Sequence, residues 1–232
     1  MNDNAFLAKI MNQTVAVVPA RAGSTRVKDK NLAIVGGKSL VHRAIDVGRE
    51  LASSVILSTD IDVLLTGPAI ERVKVMERPQ DLAGSDVTMD EVLMKIITEC
   101  ELLASAEYVL LLQPTSPFRK VSQIIESLKI LENTPDADMI FSMHLFLEDL
   151  WDSDENGYLS RVFEEARLQQ LRTKRYVENG NFYIFRRRSF VERGALSQLR
   201  SVGFVLDGNM TVDINDESDL KYAQFISNQQ DC

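Results

Sequence analysis

Basic side chains are concentrated in one short segment near the start of the chain. The apolar run 15–18 is closely followed by Arg21, Arg26, Lys28 and Lys30, in a chain whose formal net charge is -8. Arginine and lysine donate charge-assisted hydrogen bonds, which hold phosphate and carboxylate oxygens more strongly than neutral donors do. The segment therefore predicts an anion-binding loop, and a basic surface loop is the alternative interpretation.

The residues between these cations are small. Ala22, Gly23 and Ser24 leave room for backbone N–H groups to approach a phosphate closely. The loop has no Gly-x-Gly-x-x-Gly motif, and the Gly-Lys-Ser at 37–39 is not a Walker A motif, because Leu32 stands where the first glycine is required. We interpret the loop as binding a nucleoside triphosphate.

Two further polar segments follow apolar runs. Segment 77–83 reads Glu-Arg-Pro-Gln-Asp-Leu-Ala, and segment 111–119 reads Leu-Leu-Gln-Pro-Thr-Ser-Pro-Phe-Arg. The two prolines of the second segment fix its backbone. This rigidity is expected to expose polar side chains at the edge of a sheet, namely Gln113, Thr115, Ser116 and Arg119.

Oxygen ligands for a metal occur late in the chain, in Thr211-Val-Asp-Ile-Asn215. Alternating residues of an extended chain point to one side, so Asp213 and Asn215 could share a hard cation. The alternative is that both are turn residues that cap the helix expected to follow them.

The elements that must position these residues alternate along the chain. Apolar runs typical of buried strands lie at 15–18, 55–57, 73–75, 109–112 and 139–141. Helical periodicity lies at 39–51, 87–104, 121–133 and 217–227. The alternation predicts an α/β fold with a doubly wound, mainly parallel sheet, in which ligands bind beyond the carboxyl ends of the strands. Pro19 is expected to end the first strand because it cannot donate to a sheet ladder.

Residues 145–161 depart from this alternation. Apolar residues flank a polar turn tipped by Asn156-Gly157, which is typical of a β-hairpin; they are Leu150, Trp151, Tyr158 and Leu159. Exposure of the two aromatic side chains would make the hairpin an interaction arm, and packing against the core is the alternative. We expect one domain over 1–232, with an insertion at about 143–178.

Composition excludes several classes of protein. With 232 residues, 45% of them hydrophobic, the chain can bury the core of one domain. No apolar run approaches the roughly 18 residues of a membrane span, and no secretory signal pattern is present, so we expect a cytoplasmic protein without a membrane partner. The acidic balance argues against nucleic acid, and 186–188 (three arginines) is interpreted as a solvated strand end. Cys100 and Cys232 predict neither a disulfide nor a metal site.

The order of these segments resembles a known family. Pro19-Ala20-Arg21-x-Gly23-Ser24 followed by Lys30-Asn31 resembles the opening motif of the CMP-N-acylneuraminate synthetases, cytidylyltransferases that activate sialic acids and related keto acids. Segments 77–83, 111–119 and 176–184 are similar to later motifs of that family. The resemblance implies a Rossmann-like nucleotidyltransferase fold and a homodimer joined by the insertion at about 143–178.

The resemblance also implies roles for individual residues. Nucleotide binding falls on Ala20, Arg21, Gly23, Ser24, Lys30, Asn31, Arg78 and Thr88. Sugar-acid binding falls on Gln113, Thr115, Ser116, Arg119, Arg167, Gln170 and Asn179, with Arg172 and Arg175 as alternatives to Arg167 for the sugar carboxylate. Mg²⁺ would be held by Asp213 and Asn215, and catalysis would depend on Arg21, Lys30 and Asp213.

The implied reaction converts CTP and a free 2-keto sugar acid to a CMP-sugar and pyrophosphate with the help of Mg²⁺. N-acetylneuraminate is the expected acid, and legionaminate, pseudaminate and an octulosonate are alternatives. A transferase that acts on a sugar 1-phosphate is a second enzymatic interpretation. Thr25 replaces a lysine common in the family, and Asn215 replaces its second aspartate. These departures leave open a non-catalytic, nucleotide-binding regulatory protein.

Overall fold

The computed structural model describes residues 3–84, 86–163 and 173–230. Its strands in chain order are β1 (Thr14–Ala20), β2 (Ile34–Val35), β3 (Lys38–Ser39), β4 (Ser54–Thr59), β5 (Val73–Glu77), β6 (Tyr108–Leu111), β7 (Met139–Phe146), β8 (Trp151–Ser153), β9 (Leu159–Arg161), β10 (Arg175–Arg186) and β11 (Ser201–Val205). The helices are α1 (Asp3–Gln13), α2 (Leu40–Leu51), α3 (Asp62–Leu65), α4 (Met89–Glu99), α5 (Glu101–Ala104), α6 (Val121–Glu132), α7 (Arg187–Arg193) and α8 (Glu217–Gln230).

Seven strands form the central sheet, in the order β11-β7-β10-β6-β1-β4-β5. β10 runs antiparallel to both of its neighbours, whereas β1 with β4, β1 with β6, β4 with β5, and β11 with β7 are parallel pairs. The prediction of a mainly parallel α/β sheet is therefore confirmed.

Helices cover both faces of this sheet because side chains alternate along its buried strands. Ala16 and Val18 of β1 face a core shared with α2 and α6. Val15 and Val17 face the opposite core, which α4 completes. The helix α2 begins at the expected place, since the Ser39 hydroxyl accepts a hydrogen bond from the backbone N–H of His42.

Two expectations about the ends of elements are wrong. Pro19 does not end β1, which continues to Ala20 beside β4. Val17 and Pro19 both turn their backbone hydrogen-bonding groups toward β6. The N–H group that Pro19 lacks is not needed there, because the pairing with β6 already stops at Val17 and Leu111. The helix expected over 87–104 is divided at Cys100, which separates α4 from α5.

A bulge interrupts β10 where it passes the carboxyl end of β6. Glu178 pairs with Met143 of β7 and Tyr183 pairs with Phe141, so the segment between them on β10 is longer than its counterpart. The Ser142 hydroxyl accepts from the Phe182 N–H at 3.0 Å and donates to the Phe182 carbonyl. This serine replaces part of the ladder at the bulge, whose residues Asn179, Asn181 and Phe182 are buried.

The predicted hairpin is present as β8 and β9, which pair outside the central sheet. Its aromatic residues are exposed: Trp151 by 50% and Tyr158 by 76%. The interaction-arm interpretation therefore agrees with the geometry. None of the helices in the described ranges is long and apolar enough to cross a membrane.

The arginine run 186–188 is solvated only at Arg188. The Arg186 guanidinium donates to the Tyr108 hydroxyl at 2.9 Å and lies 3.3 Å from the Glu107 carboxylate. Arg187 donates to the carbonyl of Ala106. The expectation of a solvated strand end was wrong because these two side chains fold back onto the end of the core.

Candidate active site

A cleft of about 290 Å³ lies beyond the carboxyl ends of β1, β5 and β6, where ligands of doubly wound sheets bind. Segments far apart in the chain build its walls: Pro19, Arg21, Ser24, Thr25, Arg26, Val27, Lys30, Asn31, Arg78, Met89, Gln113, Pro114, Thr115, Asp213 and Asn215. Four of these residues are cationic and one carries a carboxylate. The cleft is therefore suited to a polyanion.

The loop after β1 is held in shape by its own polar contacts. The Asn31 amide donates to the Arg21 carbonyl at 2.8 Å, which ties the end of the loop to its start. The Ala22 N–H donates to the Asp60 carboxylate at 2.6 Å, beyond the end of β4. Gly23 has φ +69°, a backbone conformation that glycine adopts without strain. These contacts hold the loop open around the cleft.

Lys30 joins this loop to the opposite wall. Its ammonium donates to the Ile214 carbonyl at 2.9 Å. Burial lowers the pKa of Lys30, the nearby Asp213 carboxylate opposes that effect, and Arg26 and Arg21 add to it. Because Lys30 lies near other cations, an anionic ligand would stabilise its charged form.

Arg78 is buried at the floor of the cleft, with 5% of its surface exposed. One of its terminal nitrogens donates to the Ser58 carbonyl at 3.3 Å, and its Nε has no hydrogen-bond partner among the residues that the structure describes. Burial lowers the pKa of Arg78, while Asp60 raises it and Arg21 lowers it further. An arginine remains protonated at neutral pH, so Arg78 contributes a charge with unused donor capacity.

The proline-rich loop after β6 is anchored from behind by Arg119. Its Nε donates to the Asn181 carbonyl at 2.7 Å, and its Nη2 donates to the Gln113 carbonyl. Burial lowers the pKa of Arg119, with Asp213 acting in the opposite direction. The Thr115 carbonyl accepts from the Ile214 N–H at 2.8 Å. The contact of Arg119 with the Gln113 carbonyl and the contact of Ile214 with the Thr115 carbonyl hold these two loop residues at the cleft.

Asp213 and Asn215 lie side by side on the far wall. The Asn215 amide donates to Asp213 Oδ2 at 2.8 Å, while Asp213 Oδ1 is buried with no hydrogen-bond partner in the described part of the chain. The described residues contain no group of three or more His, Cys, Asp or Glu side chains that could hold a metal ion. A metal here would therefore take one carboxylate oxygen and the amide oxygen of Asn215. Water and phosphate oxygens would complete its shell, which is how proteins commonly hold Mg²⁺.

The capping role considered as an alternative for Asp213 and Asn215 is filled by two neighbouring carboxylates. The Asp216 carboxylate accepts from the N–H groups of Ser218 and Asp219, and the Asp219 carboxylate accepts from those of Asn215 and Asp216. The side chains of Asp213 and Asn215 remain at the cleft.

A second compartment, of about 350 Å³, adjoins the cleft. Its lining residues are Gln113, His144, Glu178, Asn179, Gly180, Tyr183, Thr211 and Asp213. Gln113 and Asp213 line both compartments. Gly180 has φ +71°, which glycine adopts without strain, and a Cβ atom there would lie 3.0 Å from the Gln113 side-chain oxygen, a contact that would require Gln113 to shift. The Tyr183 hydroxyl donates to the Glu178 carboxylate, and burial raises the pKa of that tyrosine.

The structure brings most of the residues expected from the sequence to these two compartments. Those that line one or both are Arg21, Ser24, Lys30, Asn31, Arg78, Gln113, Thr115, Asn179, Asp213 and Asn215. Ala20 and Gly23 shape the first loop without lining the cleft. Ser116 is buried behind the second loop, and its hydroxyl has no hydrogen-bond partner.

Other expected residues lie elsewhere. Thr88 forms a capping box with Glu91 at the start of α4, and Arg119 faces a separate cavity behind the loop. Arg175 lies with its guanidinium 3.7 Å from the ring centre of Phe163, near the hairpin. Arg167, Gln170 and Arg172 lie outside the described residues, as does Cys232.

Several residues at the site were given no role from the sequence. Asp60 orients the first loop, and His144 and Tyr183 line the second compartment. Arg26, which the sequence places among the cations of the anion-binding loop, lines the cleft beside Thr25. Asp60 follows β4 directly, so its position at the carboxyl end of a strand was a usable signal. His144 carried no such signal because it lies within a strand.

Two solved structures share this architecture. A 4-diphosphocytidyl-2C-methyl-D-erythritol synthase from Anaerococcus prevotii superposes with a TM-score of 0.67 at 11% identity, covering 94% of this chain and 99% of the other. A CMP:2-keto-3-deoxy-manno-octonic acid synthetase complexed with CTP gives a TM-score of 0.66 at 16% identity, with coverage of 94% and 100%. At these identities the likeness establishes the fold.

Curated relatives act on acidic sugars. The N-acylneuraminate cytidylyltransferase of Escherichia coli O18:K1:H7 is 23% identical over 93% of this chain and 52% of its own length. The CMP-N,N'-diacetyllegionaminic acid synthase of Legionella pneumophila is 28% identical over 77% of this chain and 80% of its own. The pseudaminic acid cytidylyltransferase of Campylobacter jejuni is 24% identical over 92% and 96%.

The chain thus spans about half the length of the E. coli N-acylneuraminate enzyme and most of the other two relatives. The family model described as cytidylyltransferase matches residues 15–192, which include the basic loop, the proline-rich loop and the bulge of β10. The chain belongs to the cytidylyltransferase family.

Proposed function

We propose that the protein transfers a cytidylyl group from CTP to a 2-keto sugar acid and releases pyrophosphate. One observation carries the proposal: the cationic cleft adjoins the second compartment, whose described lining includes carboxylates but no lysine or arginine. Gln113 and Asp213 line both. A triphosphate suits the first, and a sugar suits the second. Substrates bound in the two compartments would meet beside Asp213.

The triphosphate would lie against Arg21, Ser24, Lys30 and Arg78, which line one cleft. In the reaction, the anomeric hydroxyl of the sugar acid attacks the α-phosphorus, the bond to the bridging oxygen breaks, and pyrophosphate leaves. Charge builds up on the non-bridging and leaving oxygens, and fixed cations stabilise it. Alignment of the two reactants supplies a further part of the acceleration.

We propose Asp213 and Asn215 as the residues that hold Mg²⁺. The unpartnered Oδ1 of Asp213 supports this assignment. When bound, Mg²⁺ would neutralise charge on the phosphates and orient them. The Asp213 carboxylate is also the group shared by both compartments, so it is available to accept the proton of the attacking hydroxyl.

N-acetylneuraminate is the proposed acid, and legionaminate, pseudaminate and an octulosonate are the alternatives to be tested with it. Relatives named for each of these acid types match the chain, and an N-acylneuraminate cytidylyltransferase covers 93% of it. We place the reaction in the cytoplasm.

We also propose a homodimer joined by the β8–β9 hairpin. Supporting this, the hairpin extends beyond the central sheet and exposes Leu150, Trp151, Tyr158 and Leu159 by 46%, 50%, 76% and 65%. A cluster of apolar side chains of this kind commonly marks a protein interface.

The deciding experiment measures pyrophosphate release from CTP and Mg²⁺ with a panel of acceptors: the four keto acids above and a hexose 1-phosphate. Release with one keto acid is the expected result. Release with the phosphorylated sugar alone would replace the proposed acceptor class. CTP binding without release in any mixture would favour a regulatory, nucleotide-binding protein.

A pair of variants links any activity to the site. Asp213→Asn is expected to lower kcat by about a hundredfold or more, because it removes the charge proposed for the metal. Asp207→Asn, an identical change at an exposed position that lines neither compartment, is the control and should be active. Equal activity of the two variants would remove Asp213 from the mechanism.

A further inference from the structure

The second compartment contains a group of polar atoms without partners. His144 Nδ1 and Asn179 Nδ2 are each buried with no hydrogen-bond partner among the described residues, and both residues line this compartment; the third such atom there, Asp213 Oδ1, is the one assigned above to the metal. Buried polar atoms are nearly always paired in folded proteins, and each exception calls for an explanation. The two exceptions that the metal does not account for indicate a ligand that supplies the missing partners.

One of these two atoms has a fixed hydrogen-bonding character. Asn179 Oδ1 accepts from the Asn181 N–H, which leaves Nδ2 as the outward donor. His144 Nδ1 is a donor or an acceptor according to its tautomer. A ligand must therefore present an acceptor to Asn179 and a donor or an acceptor to His144, and hydroxyl and acylamido groups meet both requirements.

The walls of the compartment also argue against an anionic group there. Among its described lining residues are two carboxylates, those of Glu178 and Asp213, and neither a lysine nor an arginine. A carboxylate or phosphate placed among them would be repelled. The part of the substrate that enters is therefore polar and not anionic.

We infer that His144 is a specificity-determining residue that binds a hydroxyl or acylamido group of the acceptor sugar, an assignment that rests on the proposed function. His144 lies on β7 opposite Val177 of β10, just outside the bulge that carries Asn179 and Gly180. Its position on a hydrogen-bonded strand fixes the place where the imidazole meets the compartment. It would contact the part of the sugar that occupies this compartment.

The test uses two substitutions at one position. His144→Leu removes the nitrogen and keeps an apolar body, whereas His144→Asn retains a polar atom near the place of Nδ1. We expect His144→Leu to raise the KM for the sugar acid about tenfold, the cost of one buried hydrogen bond, and to change the KM for CTP less than about twofold. His144→Asn should keep the sugar KM within about threefold of the wild type. Thermal melting of each variant checks that it is folded.

The outcomes separate the two levels of the argument. Turnover by the wild type with an unchanged sugar KM in His144→Leu would overturn the role of His144 and leave the proposed reaction intact. Equal losses for both substrates, or equal losses in the Leu and Asn variants, would mark the residue as structural. Absence of turnover by the wild type with every sugar acid would overturn the proposed function and this assignment with it.

Discussion

The Lys30 ammonium donates a 2.9 Å hydrogen bond to the carbonyl oxygen of Ile214, the neighbour of Asp213. This contact joins the first polar loop of the chain to the last one. It brings the cation proposed for the triphosphate beside the carboxylate proposed for the metal. The Lys30 side chain therefore links the loop proposed to bind the triphosphate to the segment proposed to hold the metal.

Removal of this contact should weaken CTP binding. Lys30→Ala loses the charge-assisted hydrogen bond proposed between its ammonium and the triphosphate. Such a bond is worth about 1.5 to 3 kcal/mol, so the KM for CTP should rise roughly tenfold to a hundredfold. Lys28→Ala is the matched control, because Lys28 is exposed in the same loop and does not line the cleft. Steady-state kinetics at saturating sugar acid measures both; similar KM values would contradict the role of Lys30.

The pH profile offers an independent check on the same residue. Burial lowers the pKa of Lys30, so its ammonium loses the proton at a lower pH than an exposed lysine does. We expect kcat/KM for CTP to decline on the alkaline side, below the usual lysine range, since this parameter reports the free enzyme. In Lys30→Arg, the decline should move to higher pH. An unmoved profile would assign the decline to another group.

Asn215→Asp should strengthen metal binding. A second carboxylate increases the attraction for a divalent cation, but it also replaces the amide that donates to Asp213 Oδ2 with a like charge. The variant is therefore expected to melt at a lower temperature than the wild type in chelator and to be stabilised more strongly by Mg²⁺. Melting curves across a Mg²⁺ titration test this without turnover; identical Mg²⁺ responses would argue against a metal at Asn215.

Gly180→Ala should damage the second compartment through its Cβ atom. Both Gly180 and Gly157 have positive φ, so alanine at either position costs about 1 kcal/mol of unfolding free energy. Only at Gly180 would the added carbon meet a side chain, the Gln113 oxygen at 3.0 Å. Chemical denaturation should show a loss in both variants, whereas the KM for the sugar acid should rise only in Gly180→Ala.

The proposed dimer can be dissociated at the hairpin. Tyr158→Glu introduces a charge where an apolar contact is proposed, and we expect sedimentation to change from a dimer to a monomer. Phe225→Glu alters an aromatic residue of α8 that is 60% exposed and distant from the hairpin in sequence. It should sediment as the wild type does. A monomeric wild type, or a dimer that persists in Tyr158→Glu, would exclude the hairpin as the contact.

The sequence was sufficient to predict the α/β class, the strands that carry the loops, and most residues of the cationic cleft. These predictions succeed because apolar periodicity is local and the carboxyl edge of a parallel sheet collects the loops. The hairpin was predictable for a similar reason, since Asn156-Gly157 favours a tight turn.

The features that could not be predicted come from contacts between distant segments. Sugar-acid binding by Arg119 stays a prediction, and the sequence did not indicate that its guanidinium lies behind the loop and holds the carbonyls of Gln113 and Asn181. The pairing of Ser142 with Phe182 could not be read from either segment alone. The capping box of Thr88 and Glu91, in contrast, is local and could have been predicted, because a threonine followed three residues later by a glutamate is its sequence pattern.

The paired strands β7 and β10 have a mechanical consequence. They run together from the core sheet, at Met139 and Phe185, to Phe146 and Arg175 beside the hairpin. Asn179 and Gly180 lie in the middle of this two-stranded ribbon. A displacement of the hairpin end would therefore be transmitted along the continuous strand β7, which carries His144 of the acceptor compartment, whereas the bulge interrupts the ladder on β10.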